Sequence, residues 1–361
     1  MLRNNLIILC FLILPGAFAQ HNKTQIKNMA EPEIGTGLLI DKADRNNNFY
    51  DNEDTYSLPL ASLTIEGEIE NPGPVDFSKF QKRTVIVKET LLNKEGSNTF
   101  SGAYRYDGYS LFNLLTDRIL KKKNAAAFRP IIDLYVEIEN ASGEKVVLSW
   151  GEIFYPNFLH NCIIATEVMR IVPSKSKDLW PLPTQSKLVI AQDLITERNI
   201  SSPEKITVKS YEREIPVNRE RSPLYSPTIK IISPDKVQEI PAGTPENLQP
   251  QTLHTVFYGR GRGIHSTQPF TGVNLKDLLP EKFRMSKPNL QNGLVVIAGL
   301  DGYRAVYSLS EIINRNDQAA ILLVPCPEEK DGGKYRIFPS CDFFSDRAVK
   351  AVSEIYLEII N

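Results

Sequence analysis

The sequence has little cysteine, little histidine and almost no net charge. Its 361 residues include four cysteines and four histidines, and 42 Lys and Arg residues stand against 43 Asp and Glu residues. Four cysteines are too few for a disulfide scaffold. No C-x-x-C or H-x-x-x-H pair is present, so the sequence does not support a zinc or c-type haem site. The near-zero charge excludes the basic field of a nucleic-acid-binding protein and a polybasic membrane patch.

Long apolar runs are also absent beyond the N-terminus. Residues 6–14 form one apolar run after the positive charge of Arg3, and small residues follow at Ala17 and Ala19. This order is typical of a secretory signal peptide, and the run is shorter than the roughly 20 residues that a membrane-spanning helix needs. The pattern predicts a signal peptide over residues 1–19, cleaved after Ala19, and a periplasmic or secreted mature chain without a membrane span. An uncleaved N-terminal anchor is the alternative.

The mature chain keeps three cysteines, Cys162, Cys326 and Cys341. An oxidising compartment permits a disulfide, and the glycines between Cys326 and Cys341 allow the chain to turn back on itself. The sequence therefore leaves two alternatives: a disulfide between these two residues, or three buried thiols.

The remaining composition is that of a globular protein with about two domains. Hydrophobic residues make up 42% and charged residues 24% of the chain, and a domain takes ~150 residues. Four short patterns recur in the same order in the two halves: residues 110–115 recur at 274–279, 149–153 at 308–312, 193–198 at 342–347, and 205–208 at 354–357. The recurrence predicts a tandem of two similar domains, with shorter loops in the second.

Each copy alternates short strands with one short helix. Residues 62–69 and 84–87 have the pattern of strands, and the leucines within residues 109–120 have helical spacing. This mixture predicts an α+β fold around a β-sheet core. The predicted organisation is a polar lead-in over residues 20–56, a first domain over 57–208, a charged and proline-containing linker over 209–226, and a second domain over 227–361.

A glycine- and arginine-rich segment follows a predicted strand in the second copy. Three glycines let the backbone approach a ligand closely, successive N–H groups in such a turn can bind an anion, and arginine can bind phosphate or carboxylate through two N–H groups. The spacing is neither that of a P-loop nor that of a dinucleotide-binding motif. The segment predicts an anion or cofactor site formed by Arg260, Gly261, Arg262, Gly263 and His265. A solvated surface turn is the alternative.

A predicted hairpin adds two further candidates, Asp301 and Tyr303. Turn chemistry and cross-strand packing would account for both residues, whereas a tip at the mouth of a cleft would add them to the cofactor-binding set. Arg347 is the last candidate. The first copy has the same residue types at Asp193 and Arg198, which favours a structural role for Arg347.

Four motifs occur in a fixed order along the chain: residues 67–73, the leucine-spaced helix, the hairpin at 299–303, and the closing motif at 338–349. This order resembles the sulfite oxidase-type molybdopterin-binding family in its compact bacterial form, over most of residues 62–208 and 229–359. The resemblance implies two tandem β-rich domains of that type in the α+β class. It also implies that the pyrophosphate of a molybdopterin would be held by Arg260, Arg262 and the glycine amides.

The family holds its molybdenum through a cysteine thiolate at the end of the strand before the leucine helix, and this chain has no cysteine there. The position falls near Tyr258 and Gly259 in the second copy and near Lys88 in the first. Tyrosine or lysine cannot replace a soft thiolate ligand. The sequence therefore predicts an exported, non-catalytic or accessory binding module, with no catalytic residue or metal ligand assigned. The alternative is an active molybdopterin-dependent oxidoreductase with its pocket in the second domain.

The partners that follow from this interpretation are an anionic ligand or a pterin, and a periplasmic redox protein. Molybdopterin is the one cofactor that the resemblance implies. The first copy lacks the glycine- and arginine-rich segment and has three tyrosines within residues 97–109 instead. We interpret that region as structural support or as a docking face for a partner.

Overall fold

The computed structural model describes residues 47–240, 247–326 and 333–360. Of these residues, 42% lie in strands and 13% in helices, and none of their α-helices exceeds six residues. The predicted α+β fold of two tandem sulfite oxidase-type domains is therefore wrong, because the chain is mostly β. The leucine-spaced segments form single turns that connect strands: Leu111–Thr116 is a six-residue helix, and its counterpart Leu275–Leu278 is a 3₁₀ turn. The predicted signal peptide lies outside the described residues.

Ten strands of the first half lie within the described residues. They are β1 (Thr55–Ser57), β2 (Thr64–Gly67), β3 (Gly73–Pro74), β4 (Arg83–Leu92), β5 (Asn98–Ser110), β6 (Leu134–Asn140), β7 (Lys145–Ser149), β8 (Cys162–Arg170), β9 (Lys187–Ile190) and β10 (Pro203–Ser210).

Eleven strands among the described residues belong to the second half. They are β11 (Ile229–Ser233), β12 (Lys236–Ile240), β13 (Gln251–Leu253), β14 (Phe257–Gly259), β15 (Gly263–Ser266), β16 (Phe270–Asn274), β17 (Gly293–Gly299), β18 (Arg304–Ser308), β19 (Ile321–Pro325), β20 (Tyr335–Pro339) and β21 (Val352–Ile359). The short α-helices are α1 (Leu111–Thr116), α2 (Trp150–Phe154), α3 (Lys287–Asn292) and α4 (Leu309–Ile313).

The strands form four large sheets and one separate hairpin. Sheet 1 has the order β1-β8-β5-β4, with β9 also paired to β8, and sheet 2 has the order β3-β2-β10-β6-β7. Sheet 3 has the order β12-β11-β21-β17-β18, and sheet 4 the order β13-β16-β19-β20. The hairpin β14–β15 stands apart as a two-stranded sheet.

Sheets 2 and 3 have the same strand order in the two halves. In each sheet an early strand of the half pairs in parallel with the last strand of that half, β2 with β10 and β11 with β21. In each sheet the last strand also pairs antiparallel with a hairpin, β6–β7 or β17–β18. Sheets 1 and 4 share the order β4-β5-β8-β9 and β13-β16-β19-β20. The two halves are therefore built on one topology.

Apolar packing joins the four sheets in series. One core cluster lies between sheets 1 and 2, and another between sheets 3 and 4. A third cluster crosses between the halves, where Tyr135 of β6 packs with Leu294 of β17. The series closes where Asp193, after β9, forms an isolated bridge with Arg315, before β19. The four sheets therefore form a closed, propeller-like ring, and the central strands β6 and β17 are covered on both faces.

Two buried arginines tie the halves together. Arg198 binds Asp193 through Nη2 at 2.7 Å and Glu152 through Nη1 at 3.0 Å, and its Nη1 also donates to Oγ of Ser308 in the other half at 3.1 Å. Its side chain and those of both carboxylates are fully buried. A buried ion pair of this kind needs every charge to be compensated, so this cluster fixes how the halves meet.

Arg347 makes the equivalent contacts from the second half. It binds Asp342 at 2.6 Å and Glu311 at 2.9 Å, and its Nη1 donates to Oγ of Ser149 at 3.3 Å. Ser149 caps α2, as Ser308 caps α4. Burial raises the pKa of Glu311 to about 7, although Arg347 beside it acts in the opposite direction. A neutral Glu311 lowers the excess negative charge of a cluster in which four carboxylates face two arginines.

Candidate functional site

Three segments of the second half, together with Leu224 of the predicted linker, enclose a groove of about 410 Å³. They are the hairpin β14–β15, the turn between β17 and β18, and residues 345–350 after β20. Six of the eight residues predicted as cofactor-binding line this groove: Arg260, Gly261, Arg262, His265, Asp301 and Tyr303. The volume lies within the roughly 300–1,000 Å³ of small-molecule sites.

The glycines of the hairpin have different roles. A Cβ on Gly259 would lie 2.1 Å from Nε2 of His265, so glycine makes room for the imidazole. Gly263 has a φ of +74°, in the left-handed region that favours glycine. An added Cβ on Gly261 would meet nothing within 4 Å, so the tip is open. The His265 ring lies 5.5 Å from that of Phe257, which also lines the groove.

Cations outnumber carboxylates around the groove. Arg260 pairs with Asp346, with 3.2 Å between Nη2 and Oδ1, and its side chain is still 55% exposed. Arg262 and Lys350 also line the groove and are exposed, and neither has an ion pair among the described residues. Two unpaired cations and one half-exposed guanidinium therefore surround a groove to which Asp301 and Asp346 contribute the negative charges.

Asp346 contacts the groove through both its backbone carbonyl and its carboxylate. Its carbonyl accepts a hydrogen bond from the Tyr303 hydroxyl at 2.7 Å. Among the described residues its Oδ2 is buried without a hydrogen-bond partner, and the hydroxyl of Tyr155 is likewise buried without one. Burial raises the pKa of Tyr155 to about 12, and the nearby Asp346 charge acts in the same direction. An unmet acceptor on Asp346 and an unmet donor on Tyr155 are thus both buried, and the charge of Asp346 acts on the Tyr155 hydroxyl.

The turn between β17 and β18 is held by the segment predicted as a linker. The Tyr303 N–H donates to Oδ1 of Asp301 at 3.0 Å, and the Asp301 carbonyl accepts from the N–H of Asn218 at 2.8 Å. Gly302 has a φ of +79°, and a Cβ there would lie 2.1 Å from the carbonyl oxygen of Pro216. Asp301 therefore stabilises the turn that presents Tyr303 to the groove.

Two predicted residues do not line the groove, and others were missed. Gly263 begins β15 beside Arg262, and Arg347 is fully buried in the ion-pair cluster between the halves. Sequence reasoning missed Asp346 and Lys350, which lie on either side of Arg347 in the chain. The closing motif over residues 338–349 was the sequence feature that could have located them. Asp346 lies within the motif and Lys350 directly after it, and both line the groove, whereas the Arg347 side chain is buried.

The groove offers no thiolate for a metal. Cys162, Cys326 and Cys341 are present as thiols, and none of them lines the groove. Burial raises the pKa of both Cys162 and Cys341, which disfavours the thiolate that a soft metal would need. Within the described ranges no group of three His, Cys, Asp or Glu residues could hold a metal ion. The lining residues fit an anionic group such as a pyrophosphate and do not fit a thiolate-bound metal.

No helix in the described part of the chain is long and apolar enough to cross a membrane. This finding agrees with the absence of a second apolar run in the sequence.

Comparisons with known proteins do not establish a family. No protein-family model and no curated protein matches the chain. Among solved structures the chain is similar to the sulfane dehydrogenase SoxCD from Paracoccus pantotrophus, with 11% sequence identity, a TM-score of 0.29, and coverage of 87% of this chain and 85% of that chain. A likeness at this level supports no argument about fold or function, so the groove itself must carry the functional proposal.

Proposed function

We propose that this protein is a non-catalytic binding protein whose ligand is a small organic anion, held in the groove of the second half. The observation that carries the proposal is the convergence of Arg260, Arg262 and Lys350 on one groove. Two of these cations have no carboxylate partner among the described residues, and a guanidinium is suited to phosphate or carboxylate. An anion would supply the missing partner.

The other walls of the groove favour an organic body rather than an inorganic ion alone. Phe257 and Ala348 are buried apolar residues at the groove, and Leu224 lines it as well. Apolar walls with a few placed charges are typical of small-molecule sites. The ligand would therefore place its anionic group on the arginines and its apolar part against Phe257.

Two features support binding rather than catalysis. No cysteine lines the groove, so the thiolate of the molybdenum enzymes has no equivalent there. The Tyr303 hydroxyl already donates a hydrogen bond to the Asp346 carbonyl, and the His265 ring packs against Phe257. As part of the same proposal, the chain is exported and works beside a redox protein, and the N-terminal apolar run supports the export.

Calorimetric titration of the purified mature chain with phenyl phosphate tests the proposal. We expect saturable binding, with weaker binding of inorganic phosphate because it lacks the apolar part. Arg262→Ala should lower the affinity by about tenfold or more, the usual value of a charge-assisted hydrogen bond. The charge-matched control is Arg129→Ala, an exposed arginine outside the groove, which should bind like wild type. No binding by the wild type, or equal loss in both variants, would contradict the proposal.

The pterin alternative is tested on the same protein. The groove residues would fit the pyrophosphate of a molybdopterin, so the chain exported from a host that makes this cofactor should be assayed for pterin fluorescence and for molybdenum and tungsten. Our proposal predicts neither metal at stoichiometric amounts. Near one pterin and one metal per chain would support an oxidoreductase instead, and pterin without metal would make the pterin the organic anion.

A further inference from the structure

The two halves place a carboxylate at the same position but use it differently. In the repeated pattern Asp193–Arg198 and Asp342–Arg347, the residue before the buried arginine is Glu197 in the first half and Asp346 in the second. Glu197 accepts the backbone N–H of Leu92 at 2.7 Å, and its Oε2 lies 3.9 Å from Nζ of Lys287. A backbone donor cannot leave without unpairing a strand, so this carboxylate is fixed in place.

Within the described ranges, the Asp346 side chain makes no equivalent bond to the backbone of a strand. Its partner is the side chain of Arg260, at 3.2 Å and with the guanidinium half-exposed. An exposed ion pair contributes little to stability and is readily exchanged. The aspartate side chain is also one methylene shorter than glutamate, and its Oδ2 has no partner where it lies.

We propose that Asp346 is an internal counter-ion that competes with the anionic ligand for Arg260. This inference rests on the proposed function. When a ligand binds Arg260, the Asp346 carboxylate is released and accepts a hydrogen bond from the hydroxyl of Tyr155. Asp346 thereby weakens the binding of every anion that needs Arg260, and it admits only ligands that also hold Arg262 or Lys350.

The unmet groups beneath the groove supply the second position for the carboxylate. Tyr155 is buried and its hydroxyl has no partner, and Oδ2 of Asp346 is in the same situation. Buried polar groups without partners are unfavourable. A hydrogen bond between them would satisfy both, which offsets the loss of the pair with Arg260. The carboxylate would therefore move between two positions, the observed one with Arg260 and a second one with Tyr155.

Asp346→Asn tests the competition because it keeps the shape of the side chain and removes its charge. We expect the affinity for phenyl phosphate to rise by about tenfold. The matched control is Asp54→Asn, which removes the charge of an exposed aspartate outside the groove and should leave the affinity as in the wild type. In an Arg260→Ala background, Asp346→Asn should have no larger effect than Asp54→Asn. An unchanged or lower affinity in Asp346→Asn would overturn the inference, because the carboxylate would then position Arg260 for the ligand.

Tyr155→Phe tests the second position of the carboxylate. It removes the hydroxyl that would receive the released Asp346, so ligand affinity should fall several-fold, and this loss should vanish when Asp346→Asn is also present. Loss of the same size in both backgrounds would contradict the release to Tyr155. Failure of the proposed function looks different: neither the wild type nor Asp346→Asn would then bind phenyl phosphate.

Discussion

The two halves share one strand topology and differ where a strand end meets the segment that holds the buried arginine. In the first half the end of β4 is bonded to that segment: the Thr196 N–H donates to the Thr90 carbonyl at 2.7 Å, and the Thr90 N–H donates to Oγ1 of Thr196 at 3.0 Å. In the second half the same place holds Gly259 of the separate hairpin, beside Ser345. The strand end is therefore bonded to the arginine-bearing segment in the first half, whereas the second half places the glycine-rich hairpin there.

The charges follow the same division. The cavity near the end of β4 is lined mainly by apolar residues, including Ile86 and Phe100, with Lys88 as its cation among the described lining residues. The groove of the second half has Arg260, Arg262 and Lys350. The difference teaches that the buried arginine cluster belongs to the frame that both halves share, whereas the cationic hairpin belongs to one half.

The largest expected effect comes from removing either buried arginine of the ion-pair cluster that the two halves share. Arg198→Ala and Arg347→Ala would each leave two buried carboxylates without their cation, which should lower the free energy of unfolding by about 3–5 kcal/mol. Urea unfolding followed by circular dichroism measures this, with the exposed Arg129→Ala as the control. If one of the two variants kept wild-type stability, the halves would not be equivalent in their cores.

A smaller loss of stability is expected where the frame differs between the halves. A Cβ on Gly151 would lie 2.3 Å from Nη1 of the buried Arg347, so Gly151→Ala should destabilise by about 1–3 kcal/mol through overpacking. The equivalent position in the second half is Ser310, whose hydroxyl accepts a bond from Asn314 at 3.0 Å, and Ser310→Ala should cost about 1 kcal/mol. The same unfolding assay ranks the two variants, and the reverse order would show that the arginine can move aside.

The titration of the shared cluster predicts a pH dependence. Because burial raises the pKa of Glu311 from its usual 4.5 to about 7, the folded state binds this proton more tightly than the unfolded state does. The resulting stability is complete below the unfolded pKa and is lost as pH rises through the folded pKa, with a change on the order of 3 kcal/mol. Unfolding measured between about pH 4.5 and pH 8 tests this window. Glu311→Gln should flatten the slope, and an unchanged slope would assign the titration to another group.

The smallest expected effects concern the glycines of the hairpin. Gly259→Ala would displace the exposed His265 side chain rather than the core, so it should reduce phenyl phosphate affinity by a few-fold and leave stability within about 0.5 kcal/mol. Gly261→Ala is the matched control, because its added methyl group meets open space, and it should bind like wild type. Equal affinities in both variants would remove His265 from the site.

Sequence reasoning found the groove better than it found the fold. The hairpin arginines and the turn at Asp301 and Tyr303 were predicted as one site because glycine-rich turns and hairpin tips have local signals, and the structure brings them together. The α+β class was wrong because leucine spacing alone does not set helix length, and Leu275–Leu278 ends as a 3₁₀ turn. Asp346 was missed because its role depends on Arg260, far away in the chain.

Hydrogen–deuterium exchange with and without phenyl phosphate locates the anion site within the chain, because each half serves as the control for the other. We expect slower exchange over residues 257–266 and 299–304 of the ligand-bound protein, and unchanged exchange over residues 86–98 of the first half. Protection of the first-half segment, or no protection of the hairpin at saturating ligand, would contradict the assignment of anion binding to the open groove of the second half.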